Sequence, residues 1–594
     1  MSILIKNVRI YGFRGLENIE VTLEQTTILT GMNNTGKTSF LKALQLSLGN
    51  SQFISRDDFF IQGSTVSKKI IVDLLIVPID DDGKWDEDFL EDWEILFTTD
   101  RIRSNGTGNA FVPLRTIIIF DAIKSSYKTQ KYILKNWPEF KHKDEVTQKY
   151  TDWFDIENGK EKSFNFDEVP FFYMDAQRDI LEDTKLRSSY LGKMLSKIEY
   201  SEKDIKTIEE QIKLLNEKAV SSSDILSNIK TTLKELNTAM DTHSEGIEIT
   251  PFTKKIRDLN KGLTIYYTDQ EEPFPMENHG MGTRSWSSLL TLKAFISLIS
   301  INAQKDQSVL FPILTIEEPE AHLHPNAQKK LYGQIDAIAG QKIISTHSPY
   351  IAAMAKLNQI RNFYKDETVT CGRIEIGSLT DEDIRKIKRQ VINTRGEIFF
   401  SKVIVFLEGE TEEQSLPIFV QKHFNKTPVE MGLDFVGVGG YGNYLPFLRF
   451  AEGLKIPWFI FSDAENTPEK NVKASVQSQF LECGSKKNES DYIVFLDENK
   501  DFEKQLIADG FADEIKLAIV NHGIYNNDQH KQAKIQEMEN YDNGKLYKVI
   551  TRSKTQYSSA IAEQITQSDK DLPPKVIDLF SKIAAILKIE EAEE

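Results

Sequence analysis

The chain is 594 residues long, 40% hydrophobic and 27% charged, with a net charge of −17. It is too long for one core and too acidic to coat nucleic acid by bulk charge, although bound cations can neutralise a local carboxylate cluster. Cys371 and Cys483 are its only cysteines, which leaves neither a disulfide framework nor a cysteine-rich zinc site and suits a reducing cytoplasm.

The N-terminal stretch MSILIKNVRIYGF lacks a signal-peptide core, and the most apolar window, 289–301, is short and contains Lys293. No membrane span is expected. Residues 3–13 and 19–30 alternate as strands, and the second run feeds into 31-GMNNTGKT-38 and then the helical 39-SFLKALQLSL-48. That is the P-loop pattern in its strand–loop–helix context. Backbone amides around Asn33, Asn34, Gly36 and Ser39 would wrap phosphates, Lys37 would reach the β- and γ-phosphates, and Thr38 would ligand Mg²⁺. Residues 50–165 read as mixed strands and loops, with the lysines of 124–135 on a solvated face. The apolar run 169-VPFFYMDAQRD-179 reads either as a core strand delivering Gln177 and Arg178 to a sheet edge or as an ordinary strand end.

From 183 to 243 the sequence turns helical. Ile198, Ile205, Ile208, Ile212 and Leu215 keep an a/d spacing, Ser221–Ser223 break it, and Ile229, Leu233, Leu236 and Met240 resume it. This is the pattern of an antiparallel helical hairpin, serving dimerisation or internal packing. In 278-NHGMGTRSWSS-288 a glycine-containing turn opens an apolar helix, where backbone amides near Gly282 and the Ser285 hydroxyl could form an anion site. The stretch 313-ILTIEEPEAHLHP-325 joins a buried strand to Glu317 and Glu318. One acid could hold Mg²⁺ through water while the next activates water, or the pair could simply open an acidic helix. A further strand, in 342-KIISTHSPYIAAM-354, ends at His347.

Taken in order, these pieces resemble the ABC-type ATPase heads of the RecF, SMC and OLD (overcoming lysogenisation defect) proteins over about residues 1–360. The resemblance makes Gln177 the Q-loop residue, Gly280–Ser285 the signature acting in trans, Glu317 the Walker B acid, Glu318 the hydrolytic base and His347 the switch histidine. The signature HGMGTRS departs from the usual LSGGQ.

Beyond a charged helical segment at 381–393, strand and helix alternate again. The strand in 402-KVIVFLEGETEE-413 ends at Glu408 and Gly409, with Glu412 in the first turn of the following helix, and 456-IPWFIFSDAEN-466 ends at Asp463 and Glu465. Carboxylates gathered at two strand ends repel one another unless cations lie between them, so a divalent-metal site is expected. The two pieces resemble a TOPRIM domain, and with the head they resemble the OLD-family nucleases, a group that includes the Gabija defence nuclease. The resemblance adds Glu503 in 501-DFEKQL-506 as a metal ligand and Lys554 in 553-SKTQYSSAIAEQI-565 as a transition-state cation. Here the family's Asp-x-Asp is Asp463-Ala464-Glu465.

The expected architecture is therefore α/β: an ABC-type ATPase head (1–182 and 244–380), an inserted helical hairpin (183–243) and a C-terminal TOPRIM domain (381–594). The expected function is an ATP-binding DNA endonuclease using Mg²⁺, Mn²⁺ or Ca²⁺, with Mg²⁺ also accompanying ATP. The alternative is a non-cleaving DNA-binding ATPase clamp. The resemblance further implies a cytoplasmic homodimer or dimer of dimers with an antiphage role. Family members act alone, with a helicase, or with a reverse transcriptase and its small DNA.

Overall fold

The computed structural model describes the chain apart from residues 1, 50–53, 64, 122, 124, 144–149, 165, 186–188, 190–191, 195–200, 228, 230–265, 270–271, 485–486, 553 and 590–594, and only the backbone of residues 62, 65, 142–143, 150–151, 183–185, 266–269, 272–274, 466 and 554–555. Two compact units result: residues 1–172, 313–317 and 341–594 form one, and residues 173–312 and 318–340 the other. They do not part at 182, 243 or 380, because a parallel sheet recruits strands from distant stretches of chain. Ile313–Glu317 thus joins the first unit while its sequence neighbours stay in the second.

In the first unit, Ser2–Phe13, Leu16–Thr22, Lys69–Ile79, Ala110–Asp121 and Ser126–Ile133 make an antiparallel sheet. On an outer strand of this sheet Lys128 is exposed, whereas Lys131 is half-buried and its ammonium donates to the Phe164 carbonyl at 3.1 Å, which departs from the solvated face expected of it. Inside it, Asp73 and Arg115 are both fully buried and paired at 2.8 Å. Arg115 also donates to the Trp153 carbonyl at 2.8 Å, fastening the loop after residue 152 to the sheet.

Beside it, Ile313–Glu317, Gln341–Ser345, Thr26–Thr30 and Ile360–Lys365 run parallel, with Val369–Gly372 antiparallel at the end. The first three strands are buried along their whole length, including the polar Gln341, Lys342 and Ser345 of the second. Glu317 lies opposite Ser345, and Ser345 opposite Leu29. This register brings three strand ends to one edge: the start of the P-loop, Glu317, and the turn carrying His347.

The C-terminal part of this unit has its own four-stranded parallel sheet, in the order Leu433–Gly437, Val403–Leu407, Trp458–Ser462, Ile493–Phe495. Leu407 lies beside Phe461, so Glu408 and Asp463 leave neighbouring strands at almost the same level. The sheet abuts the head: Asn362 Nδ2 donates to the Leu454 carbonyl at 3.1 Å, and a Cβ on Gly372 would stand 2.3 Å from Leu454.

In the second unit, helix Met281–Lys305 packs on helix Pro325–Asp336, with Trp286 Nε1 donating to Gln334 Oε1 at 2.6 Å. By length and composition Met281–Lys305 could cross a membrane. Here Leu289, Leu292, Phe295 and Ile296 are buried in protein, while Leu290, Leu298 and Ile301 are exposed. Of the expected hairpin, helix Glu202–Ser221 is present, capped by Ser201 and ending at the serine run, with Leu215 exposed. Of the second arm, residues 224–227 and 229 are helical, with Ile229 exposed; Leu233, Leu236 and Met240, together with Ile198, lie outside the described residues.

Candidate functional site

Two sets of chemistry-bearing residues sit at the two parallel sheets. At the head, Gly31 and Gly36 take φ 124 and φ 97. A Cβ would stand 2.2 Å from the Phe363 carbonyl oxygen at Gly31 and 2.6 Å from a Leu16 methyl at Gly36, so both need glycine. Asn34 follows the turn at φ 61, and Asn33 and Asn34 are exposed at its tip. Lys37 opens the helix, buried, and its Nζ donates to the Gly31 and Met32 carbonyls at 2.7 Å each. Thr38 is exposed and Ser39 half-buried in that first turn.

Glu317 is buried at its strand end. His347 has its pKa lowered to about 4 by burial and by the Lys37 ammonium, so it is a neutral imidazole at physiological pH. Its nearness to Lys37 gathers P-loop, Glu317 and His347 at one edge.

Glu318, Gln177, Gly282 and Ser285 belong to the second unit. Glu318 follows Glu317 at φ 40, a left-handed conformation rare for a glutamate. Gln177 is exposed just beyond strand Phe171–Met174. Gly282 lies in the first turn of the helix that starts at Met281, and Ser285 one turn in, buried, with its Oγ lacking a hydrogen-bond partner.

At the C-terminal sheet, the strand Val403–Leu407 delivers Glu408, and helix Glu410–Phe424 carries Glu412 on its buried side. At Gly409 φ is −138, a conformation open to any residue, and a Cβ there would meet Glu412 Oε2 at 3.4 Å, an ordinary contact. Strand Trp458–Ser462 delivers Asp463, and Ser462 Oγ donates to Glu408 Oε2 at 3.4 Å. Glu503 is buried in helix Phe502–Ala508 and accepts from Thr411 Oγ1 at 3.3 Å.

These carboxylates act on one another. Asp463 is pushed up to about 9, first by burial and then by Glu412, Glu408, Asp501 and Glu503, and its buried Oδ1 accepts no hydrogen bond. A buried acceptor left unmatched amid negative charge is the situation a bound cation relieves. Among the described residues, no three Asp, Glu, His or Cys side chains already stand close enough to hold an ion.

Glu465 does not join this set. It is exposed, at the start of helix Asn466–Glu482, and pairs with Lys504 at 3.3 Å. Asp501, which sequence reasoning passed over, does act on Asp463; it caps its helix through the Lys504 amide at 2.9 Å and accepts from Tyr547 at 2.6 Å. Its signal was the spacing of two acids, 501 and 503, in one helix start. Tyr444 had no such signal: fully buried, its hydroxyl is pushed well above its usual pKa by burial and then by Glu408, Glu412 and Asp463. Lys554 begins helix Lys554–Gln567, and its side chain lies outside the described residues. Four residues on, the Ser558 carbonyl accepts from Ser415 Oγ at 3.3 Å. That contact sets the Lys554 backbone about 6 Å of helix from the element that carries Glu412, at about 1.5 Å per residue.

Comparison with known proteins is consistent with two such centres. The AAA ATPase domain family matches residues 4–352, and the overcoming lysogenization defect protein-like TOPRIM domain matches residues 399–464. The chain is 22% identical over 492 residues to the Old nuclease of Escherichia phage P2, covering 78% of each chain. It is 23% identical over 507 residues to the OLD nuclease of Thermus scotoductus, covering 78% of this chain and 83% of that one. With the endonuclease GajA of Bacillus cereus it shares 22% identity over 558 residues, 79% of this chain and 78% of the relative.

Proposed function

Because the chain belongs to the AAA ATPase domain family and joins to that ATPase an OLD-like TOPRIM domain, we propose that it is an ATP-hydrolysing, divalent-metal-dependent DNA endonuclease. The observation that carries the reading is Asp463, a half-buried carboxyl whose buried Oδ1 accepts no hydrogen bond and whose pKa is raised first by burial and then by four neighbouring acids. A structural domain has no use for so costly a cluster.

Divalent cations, when bound there, supply the charge that activates water and stabilises the leaving oxygen. The chain holds them with Glu408 and Glu412 from one strand end, Asp463 from the next, and Asp501 and Glu503 from a helix start. Glu465 stands at the rim with Lys504. Mg²⁺ is the proposed ion, with Mn²⁺ and Ca²⁺ as alternatives. Lys554 is the cation proposed to meet charge building on the phosphate.

At the head, Lys37 and the amides around Asn33, Asn34, Gly36 and Ser39 bind ATP phosphates, and Thr38 and Glu317 hold its Mg²⁺. Glu318 takes the proton of the attacking water, His347 meets the γ-phosphate as a neutral imidazole, and Gln177 senses it. Gly282 and Ser285 serve the site of a second copy, so the working form is a homodimer or dimer of dimers. An antiphage role in the cytoplasm, alone or with a helicase or a reverse transcriptase and its small DNA, rests on the resemblance to OLD nucleases.

The test is direct: incubate the protein with supercoiled and linear DNA in Mg²⁺, Mn²⁺ or Ca²⁺, with and without ATP. Nicking or cutting that needs the cation supports the proposal, and intact DNA under every condition would leave a non-cleaving clamp.

A further inference from the structure

Three elements of the second unit meet at the turn that carries Glu318. The turn itself holds two non-glycine residues at positive φ, Glu318 at 40° and His322 at 65°. Such conformations are costly for a residue with a Cβ and persist only where surrounding groups fix them. Two clamps do so here. Arg178, buried, donates through Nη2 to the Pro319 carbonyl at 2.8 Å and the Glu318 carbonyl at 3.5 Å, while its Nη1 donates to the Asp175 carbonyl at 3.1 Å. On the other side, Gly282 packs so tightly against the turn that a Cβ would stand 2.4 Å from the His322 carbonyl oxygen.

The two clamps are themselves tied. Asp179, next to Arg178, receives both arms of the Arg284 guanidinium, with Nε to Oδ1 at 3.0 Å and Nη2 to Oδ2. Arg284 stands in the first turn and a half of the helix that begins at Met281. A loop, a strained turn and a helix start thus form a closed triangle of side-chain and backbone contacts, in which none can shift without moving the others.

We infer that Arg178 and Asp179 are positioning residues of ATP hydrolysis: Arg178 sets the backbone of Glu318, and Asp179 ties that setting to the helix start that bears Gly282 and Ser285. The inference rests on Glu318 being the hydrolytic base.

The test measures nucleotide affinity and ATP turnover separately for Glu318→Gln, Arg178→Lys, Asp179→Asn and the double variant Arg178→Lys/Glu318→Gln. Arg178→Lys and Asp179→Asn are expected to bind nucleotide as wild type does and to lose turnover on the order of a hundredfold, the scale of a misplaced catalytic group. The double variant should be no slower than Glu318→Gln alone, because both changes act through one carboxylate. Wild-type turnover in Arg178→Lys and Asp179→Asn, loss of nucleotide binding in both, or a double variant slowed by the product of the single effects, each overturns the inference. Should Glu318→Gln itself turn over normally, the base assignment fails first and the inference with it.

Discussion

After burial itself, the carboxylate of Glu412 is the strongest influence keeping a proton on Asp463. Asp463 follows one strand and Glu412 stands in the helix that follows its neighbour in the same parallel sheet, and neither sequence segment alone reveals the conflict. Asp463 is therefore neutral in the metal-free protein near pH 7.

A stability effect of definite sign follows. The folded pKa of Asp463, about 9, lies above the roughly 3.9 of an unfolded aspartate. Stability from this group is fully present below about pH 4 and is lost as pH rises toward 9, because the fold binds a proton that the unfolded chain releases. Asp463→Asn should raise the metal-free melting temperature by a few degrees at pH 8, with the gap closing toward pH 4. Mg²⁺ should raise the melting temperature of wild type at pH 8 and leave Asp463→Asn unmoved. Thermal melts at the two pH values decide it; a wild type more stable than the variant at pH 8 without metal contradicts the assignment.

At the head, Lys37→Ala should abolish ATP binding, because no other side chain of the loop carries the charge that meets the phosphates. Glu318→Gln should bind ATP and hydrolyse it about a hundredfold or more slowly, the range for removing a general base. Fluorescent-nucleotide titration and phosphate release separate the two effects. Equal turnover in wild type and Glu318→Gln would remove Glu318 from this role.

Lys554→Ala should cut DNA cleavage by about a hundredfold, as for loss of one preorganised transition-state donor, and leave metal binding intact. Arg552→Ala, on the preceding helix, should be silent. If Lys554→Ala cleaves like wild type, Lys554 is an ordinary surface lysine.

Light scattering or native mass measurement, with and without ATP, should return a dimer or a dimer of dimers. A single-chain mass in both conditions would count against in-trans use of Gly282 and Ser285.

Much of this was legible in sequence where chemistry and backbone period coincide. The runs ending at Glu317, Glu408 and Asp463 are apolar throughout because their strands are buried on both faces, and a carboxylate at such an end marks a sheet edge. The P-loop glycines were legible because only that spacing builds the left-handed turns at Gly31 and Gly36. What stayed hidden depends on contacts between distant segments. Glu465 looked equivalent to Asp463 by spacing, yet the chain enters a helix there and turns it out toward Lys504. Asp501 was passed over, and its action on Asp463 exists only because the start of helix Phe502–Ala508 lies near it. The ion pair of Asp179 with Arg284 joins positions too far apart for any local pattern to announce.

The central claim is that two separate centres serve two reactions, and one paired measurement tests it: DNA cleavage and ATP hydrolysis by Glu408→Ala and Asp463→Ala beside wild type, in Mg²⁺ or Mn²⁺. The account predicts that both variants lose cleavage while ATP hydrolysis stays near the wild-type rate, since the head's Lys37, Glu317 and His347 stand on a different sheet. Cleavage surviving in both variants, or both activities falling together in folded protein, would contradict it.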